Sequence, residues 1–176
     1  MKSLSESLFD GDLVQKDIIY HPKTKNELIN CIKEQLVLQG LNANLNMIDV
    51  SKITDMSYLF TKLSVSNIDI SDWNVSGVKD MYGMFKGCEK FNSDLSKWDV
   101  SKAKDMGYMF YGCKSFNSDL SKWDVSKADY MVCMFNGCKS FNSDLSKWNM
   151  SKTKDTERMF NGCISLKKIP DWYEES

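Results

Sequence analysis

A 25-residue period governs this chain: Trp73, Trp98, Trp123 and Trp148 recur at that interval, and Phe60, Phe85, Phe110, Phe135 and Phe160 repeat it independently. A spacing kept by two separate aromatic series means self-similar units stacked on one another. The clearest copy runs from Trp98 to Asp124, W-D-V-S-K-A-K-D-M-G-Y-M-F-Y-G-C-K-S-F-N-S-D-L-S-K-W-D. Aligning F-N-S-D-L at 91–95, 116–120 and 141–145 with S-N-I-D-I at 66–70 and L-N-A-N-L at 41–45 predicts five full coils over 41–165 and a partial coil over 166–176. A single coil buries too little apolar surface to offset the ordering of its backbone, so stability has to arise between neighbours.

The F-x-S-x-L segment alternates, which predicts a short strand with residues 91, 93 and 95 inward and Asn92 and Asp94 outward. Stacked copies would pair as a parallel ladder. Trp98-Asp99-Val100-Ser101 carries turn-forming side chains beside two apolar anchors. Met106, Met109 and Phe110 stand at i, i+3 and i+4, which predicts one face of a short helical or 3₁₀ turn that Gly112 ends. The expected class is therefore α/β, a solenoid of stacked coils.

Residues 1–40 lie outside the period and read as an N-terminal cap. Leu4, Leu8 and Phe9 suggest an amphipathic turn, and D-I-I-Y at 17–20 a short strand before Pro22. Thr24-Lys25-Asn26-Glu27 is a capping box, in which the Thr hydroxyl and the Glu carboxylate satisfy amides left open at a helix start. With Leu28, Ile29, Ile32 and Leu36 at helical spacing and Gly40 as a left-handed stop, a helix over about 25–39 is predicted. Such a helix would close the open end of the stack.

Lys plus Arg (23) nearly balances Asp plus Glu (24), so neither nucleic acid nor an anionic membrane is an expected partner. M-K-S-L-S-E-S-L-F-D-G-D is no Sec leader, and no run of 18 apolar residues occurs, so the sequence as given reads as cytoplasmic, without membrane insertion. Cys88, Cys113, Cys138 and Cys163 share one repeat position, which predicts a buried column of reduced thiols; Cys31 and Cys133 stand outside it and are the expected accessible pair. His21 is the only histidine, and no metal-protease or phosphate-loop motif is present, so catalysis and cofactors are not expected. The Asp69, Asp94, Asp119 and Asp144 column supplies one carboxylate per coil, a thin set for calcium; Lys97, Lys122 and Lys147 or turn amides are the expected neutralisers, and no metal is predicted.

Positions that repeat in every coil serve the stack, and positions that differ carry any unique address. The variable outward positions are Tyr58, Gly83, Tyr108, Cys133 and Arg158, with Lys86, Tyr111, Asn136 and Asn161 beside them. On the strand face, Asn92, Asp94, Asn117, Asp119, Asn142 and Asp144 form a regular polar grid able to hydrogen-bond an extended protein partner. Such repeat surfaces are common binding faces, and this grid is the predicted partner-binding site.

The fixed order of W-D-V-S, M-F-x-G-C and F-N-x-D-L-S from about Leu41 onward resembles the BspA-like leucine-rich-repeat surface proteins of bacteria. The terminal M-F-N-G-C-I-S-L-K-K-I-P is similar to a related short leucine-rich repeat and implies a strand at 166–169. The resemblance implies a leucine-rich-repeat solenoid and, in many members, surface display with binding to host or neighbouring-cell proteins. The expected function is a non-catalytic, adhesin-like protein-binding scaffold, surface-exposed or secreted if exported by another route. A cytoplasmic inhibitor or adaptor, and a structural or self-assembling repeat protein, are the alternatives. Oligomeric state is not legible.

Overall fold

The computed structural model describes residues 19–63 and 65–174. Among the described residues one α-helix, α1 (Lys25–Gln39), stands before the repeats. The Thr24 side chain accepts the Glu27 amide at 3.2 Å, and the Glu27 carboxylate accepts the Lys23 amide at 2.7 Å, so the capping box closes one residue further out than its usual form. Gly40, at φ 81°, ends the helix and donates its N–H to the Leu36 carbonyl. Leu28 and Ile32 are fully buried, as their spacing predicts. So is Gln35, whose Nε2 donates to the Tyr20 hydroxyl at 3.0 Å while Oε1 accepts from Gln39 at 2.7 Å, leaving no buried polar atom unsatisfied. Tyr20 forms an isolated parallel bridge to Ile48, and residues 17 and 18 of the strand expected at 17–20 lie outside the described residues. The turn expected around Leu4, Leu8 and Phe9 lies outside the described residues. Among the described residues no helix is long and apolar enough to cross a membrane.

The coils are joined by chains of backbone hydrogen bonds that run from one to the next. The Phe60 amide donates to Met84, Phe85 to Met109, Phe110 to Met134 and Phe135 to Met159, at 2.9–3.0 Å. Three further chains run beside it, through Met81, Met106 and Met131, through Gly83, Tyr108 and Cys133, and through Gly87, Gly112 and Gly137. In all four the N–H points toward the following coil and the carbonyl of the same peptide unit toward the preceding one. Beside these chains runs a column of single parallel bridges, Asp55 to Asp80 to Asp105 to Tyr130 to Asp155.

This corrects the predicted distribution of elements. Met106, Met109 and Phe110 do share one fully buried face. Their segment is not helical, because the amides that a helix would turn back on its own carbonyls are taken by the next coil. Local bonds such as Met109 to Met106 and Cys113 to Phe110 close only single four-residue turns. Left-handed φ angles of 52–55° at Tyr58, Tyr108, Cys133 and Arg158, with 59° at Gly83, let the chain alternate between the two sets of bonds.

The expected strand at F-N-S-D-L is not a strand either, and among the described residues no named strand is present. Its alternation holds, with Phe91, Ser93 and Leu95 buried and Asn92 and Asp94 exposed. The inter-coil bonds, however, pass through side chains: Asn117 N–H to Asn92 Oδ1 at 2.7 Å and Leu95 N–H to Ser118 Oγ at 2.8 Å. Where Ile68 replaces the serine, backbone pairs directly with backbone, from Leu45 to Asp69 and from Asp69 to Ala43, and an isolated bridge between Asn44 and Asp69 results. Around Leu166–Ile169 the same rule holds, with the Lys167 amide donating to Asn142 Oδ1.

Inside, the repeated aromatics form columns. Phe60, Phe85, Phe110, Phe135 and Phe160 stack with centroids 5.1–5.9 Å apart and planes within 6°. Each central member also lies 4.0–4.2 Å from the phenylalanine opening F-N-S-D-L of its own coil. The tryptophans line one corner, and each indole Nε1 donates to a carbonyl of the preceding coil, Trp123 to Leu95 at 3.0 Å. Trp123→Ala removes that bond and the ring stacked 6.5 Å from Trp148, and should destabilise the chain by about 3–5 kcal/mol. Urea unfolding followed by near-ultraviolet dichroism checks this; a loss below about 1 kcal/mol would show that the corner carries little of the stack.

Candidate functional site

The predicted polar grid is brought together. Asn92, Asp94, Asn117, Asp119 and Asp144 are exposed and Asn142 is half-buried. Asn92, Ser93 and Asp94 face Asn117, Ser118 and Asp119 across a shallow cleft of about 270 Å³. Much of the grid also serves the stack. Asn92 Oδ1 accepts the Asn117 amide and Asn117 Oδ1 the Asn142 amide, at 2.7 and 2.8 Å. Asp94 Oδ1 accepts the Ser96 amide at 2.9 Å and Asp119 Oδ1 the Ser121 amide at 2.9 Å, each with a serine hydroxyl of the next coil nearby at 3.3–3.4 Å.

These turn amides and serines hold the Asp94, Asp119 and Asp144 carboxyls below the ordinary carboxylate range. Lys97 and Lys122 add a smaller pull on Asp94 and Asp119. Because each folded pKa is depressed, the associated stability is present above the ordinary value and is lost as pH falls through the folded one. Among the described residues no three His, Cys, Asp or Glu side chains converge as a metal site. His21 Nδ1 lies 3.2 Å from Asp49 Oδ2 on an exposed rim, and its ring is 66% exposed.

The other side of the coils carries the variable positions. Tyr58, Tyr82, Tyr108 and Tyr111 follow one another with ring centroids 5.3, 5.4 and 5.6 Å apart. Lys86 Nζ sits 4.6 Å from the Tyr108 ring and 5.3 Å from that of Tyr111. Two positions read as outward on this side are buried instead, Gly83 and Cys133. Gly83 is covered by the Tyr58 ring, and Cys133 is 7% exposed. Sequence spacing alone missed Tyr82, which stands one place before the position that carries tyrosine in the flanking coils.

The repeat cysteines are free thiols, with Cys88, Cys113 and Cys138 buried and Cys163 half-buried. Cys113, Cys138 and Cys163 donate to the carbonyls of Phe85, Phe110 and Phe135 at 2.9–3.0 Å. Burial pushes the Cys88 and Cys163 thiols up to about 12 and those of Cys113 and Cys138 strongly upward. Cys31, on α1, is half-buried like Cys163, but burial raises its thiol much less. In native labelling at neutral pH, Cys31 should react first and Cys88, Cys113, Cys133 and Cys138 only on unfolding. Raised folded pKa values also mean that stability falls as pH climbs from the ordinary thiol value of 9.0 toward about 12. The Cys113→Ala, Cys138→Ala double variant should show a shallower alkaline loss by urea midpoint; fast labelling of Cys113 would contradict a sealed column.

One family model matches the chain, that of a "Mycoplasma protein of unknown function, DUF285", over residues 33–131 and again over 103–176. The two matches overlap, as a repeated unit allows. No curated protein and no solved structure matches. The matched residues cover more than half of the sequence and contain every coil from the first F-N-S-D-L equivalent onward, and the chain therefore belongs to the Mycoplasma family DUF285.

Proposed function

We propose that the chain is a non-catalytic, protein-binding solenoid of the leucine-rich-repeat type, acting at the cell surface in the manner of the BspA-like proteins it resembles. Its partner is a host or neighbouring-cell protein that lies along the Asn and Asp grid. The observation that supports this reading is the open cleft between Asn92, Asp94, Asn117 and Asp119. Asn92 and Asn117 spend Oδ1 on an amide of the next coil and Asp94 and Asp119 on a turn amide of their own, and each has a second polar atom, Asn Nδ2 or Asp Oδ2, with no hydrogen bond among the described residues. A donor and an acceptor per coil, repeated along the stack, match the alternating groups of an extended chain. The interior is filled by stacked rings and methionines, which directs recognition to the surface.

The turn bonds dictate the test. Asp→Lys would remove the acceptor for Ser96 and Ser121 as well as the charge, mixing folding with binding. Asp94→Asn with Asp119→Asn retains a side-chain carbonyl for those amides and removes both charges. Host and neighbouring-cell surface fractions passed over the immobilised chain supply the partner, and calorimetry on the purified pair then reads affinity. The double variant should keep its unfolding free energy in urea within about 0.5 kcal/mol and bind at least about tenfold more weakly. Unchanged affinity would remove the grid from the interface.

A further inference from the structure

We propose that Tyr58, Tyr82, Tyr108, Tyr111 and Lys86 form a second recognition surface, which takes a partner peptide carrying a single carboxylate beside aromatic or apolar side chains. The row crosses three coils, and its residues occupy positions that differ from coil to coil, where nothing in the stacking demands an aromatic. Tyr58 is 50% and Tyr111 37% exposed, large values for rings already packed against neighbours.

The row is built rather than incidental. A Cβ on Gly83 would lie 2.9 Å from two carbons of the Tyr58 ring. On Gly107 it would lie 3.2 Å from the Tyr82 ring and 3.1 Å from Val132. In each case a coil lacks a side chain where the preceding coil's tyrosine lies down. The rings are thereby held against backbone, tilted 42–64° to one another, so that the row presents both edges and faces. Rings fixed in this way give contact area at little entropic cost on binding, which is why tyrosine dominates many binding surfaces.

Charge selects the ligand. Lys86 is half-buried against two rings and, among the described residues, has no carboxylate within ion-pair distance. An ammonium held by ring faces attracts an incoming carboxylate in a partly desolvated setting. The surroundings limit how much negative charge is welcome. Burial and the neighbouring Tyr58 hydroxyl are the main causes that push the Tyr82 phenol up to about 12, and Asp105 adds to them. Glu157 bears in the same way on Tyr108. With a single lysine in the row, and Asp105 and Glu157 bearing on its tyrosines, the surface fits one carboxylate better than a run of phosphates or sulfates.

The test pans the intact chain against a displayed random heptapeptide library, then measures the selected peptides by fluorescence anisotropy. Enriched peptides should carry one Asp or Glu next to aromatic or aliphatic residues. Tyr58→Ala and Tyr111→Ala, both at exposed rings, should each weaken them by at least about tenfold, and Lys86→Gln by about fivefold or more with a reduced salt dependence. Asp94→Asn with Asp119→Asn should leave them unchanged, which separates this surface from the grid on the opposite side. Failure to enrich any peptide, enrichment without an acidic residue, survival of binding in Lys86→Gln, or equal competition by heparin would each overturn the proposal.

Discussion

Peptide groups linked from coil to coil are what the rest of this structure depends on. Each of the four chains of amide bonds uses the N–H and the carbonyl of one peptide unit in opposite directions along the stack, so a coil satisfies its backbone only with a neighbour on each side. Their dipoles add, carbonyls toward α1 and N–H groups toward the other end. At the carbonyl end the Lys25 ammonium meets Asp55 and Ser57 at 3.1 and 2.7 Å, a cation placed where the aligned dipoles favour one. At the other end the amides of Thr156, Arg158, Phe160 and Gly162 have no acceptor among the described residues, while Tyr173 closes edge-on over Phe160 at 5.1 Å.

This spine sorts the residues into those that must repeat and those that are free to differ. Ring-on-ring columns require phenylalanine and tryptophan at fixed places, and the small buried position next to them takes cysteine, whose thiol reaches a carbonyl of the coil before. The asparagines and aspartates of F-N-S-D-L belong partly to this class, since Asn Oδ1 accepts an amide of the next coil and Asp Oδ1 an amide of the turn in its own coil. Their regularity therefore reflects the stack as well as any ligand. The tyrosine row has no such duty, and it is where the coils differ most from one another.

How much of this was legible in the sequence depends on how local each signal is. The period, α1 with both its caps, the inward faces of both segments and the buried thiols follow from spacing and side-chain chemistry, and they hold. The exchange of roles between the two segments was not legible. Alternation in F-N-S-D-L tells which side chains face in, but not that Ser118 and Asn92 would stand in for backbone partners. Likewise Met106, Met109 and Phe110 share a face in a helix and in the observed turns alike, and only the left-handed φ at Tyr108 separates the two. Tyrosine, cysteine and arginine at that position give no hint of it, because glycine stands there only at Gly83. Burial of Cys133 was hidden for the same reason, and Gln35 reads as an exposed helix residue until Tyr20 is placed beside it.

Amide hydrogen exchange, resolved by residue, tests the coil-to-coil bonding most directly. The amides of Phe110 and Phe135, each donating into the next coil, should exchange only through global unfolding. Those of Thr156, Arg158 and Gly162, the same positions with no acceptor among the described residues, should exchange at least about a hundredfold faster. Protection that is uniform across all these amides, or central amides as fast as Gly162, would contradict a fold carried by hydrogen bonds between neighbouring coils.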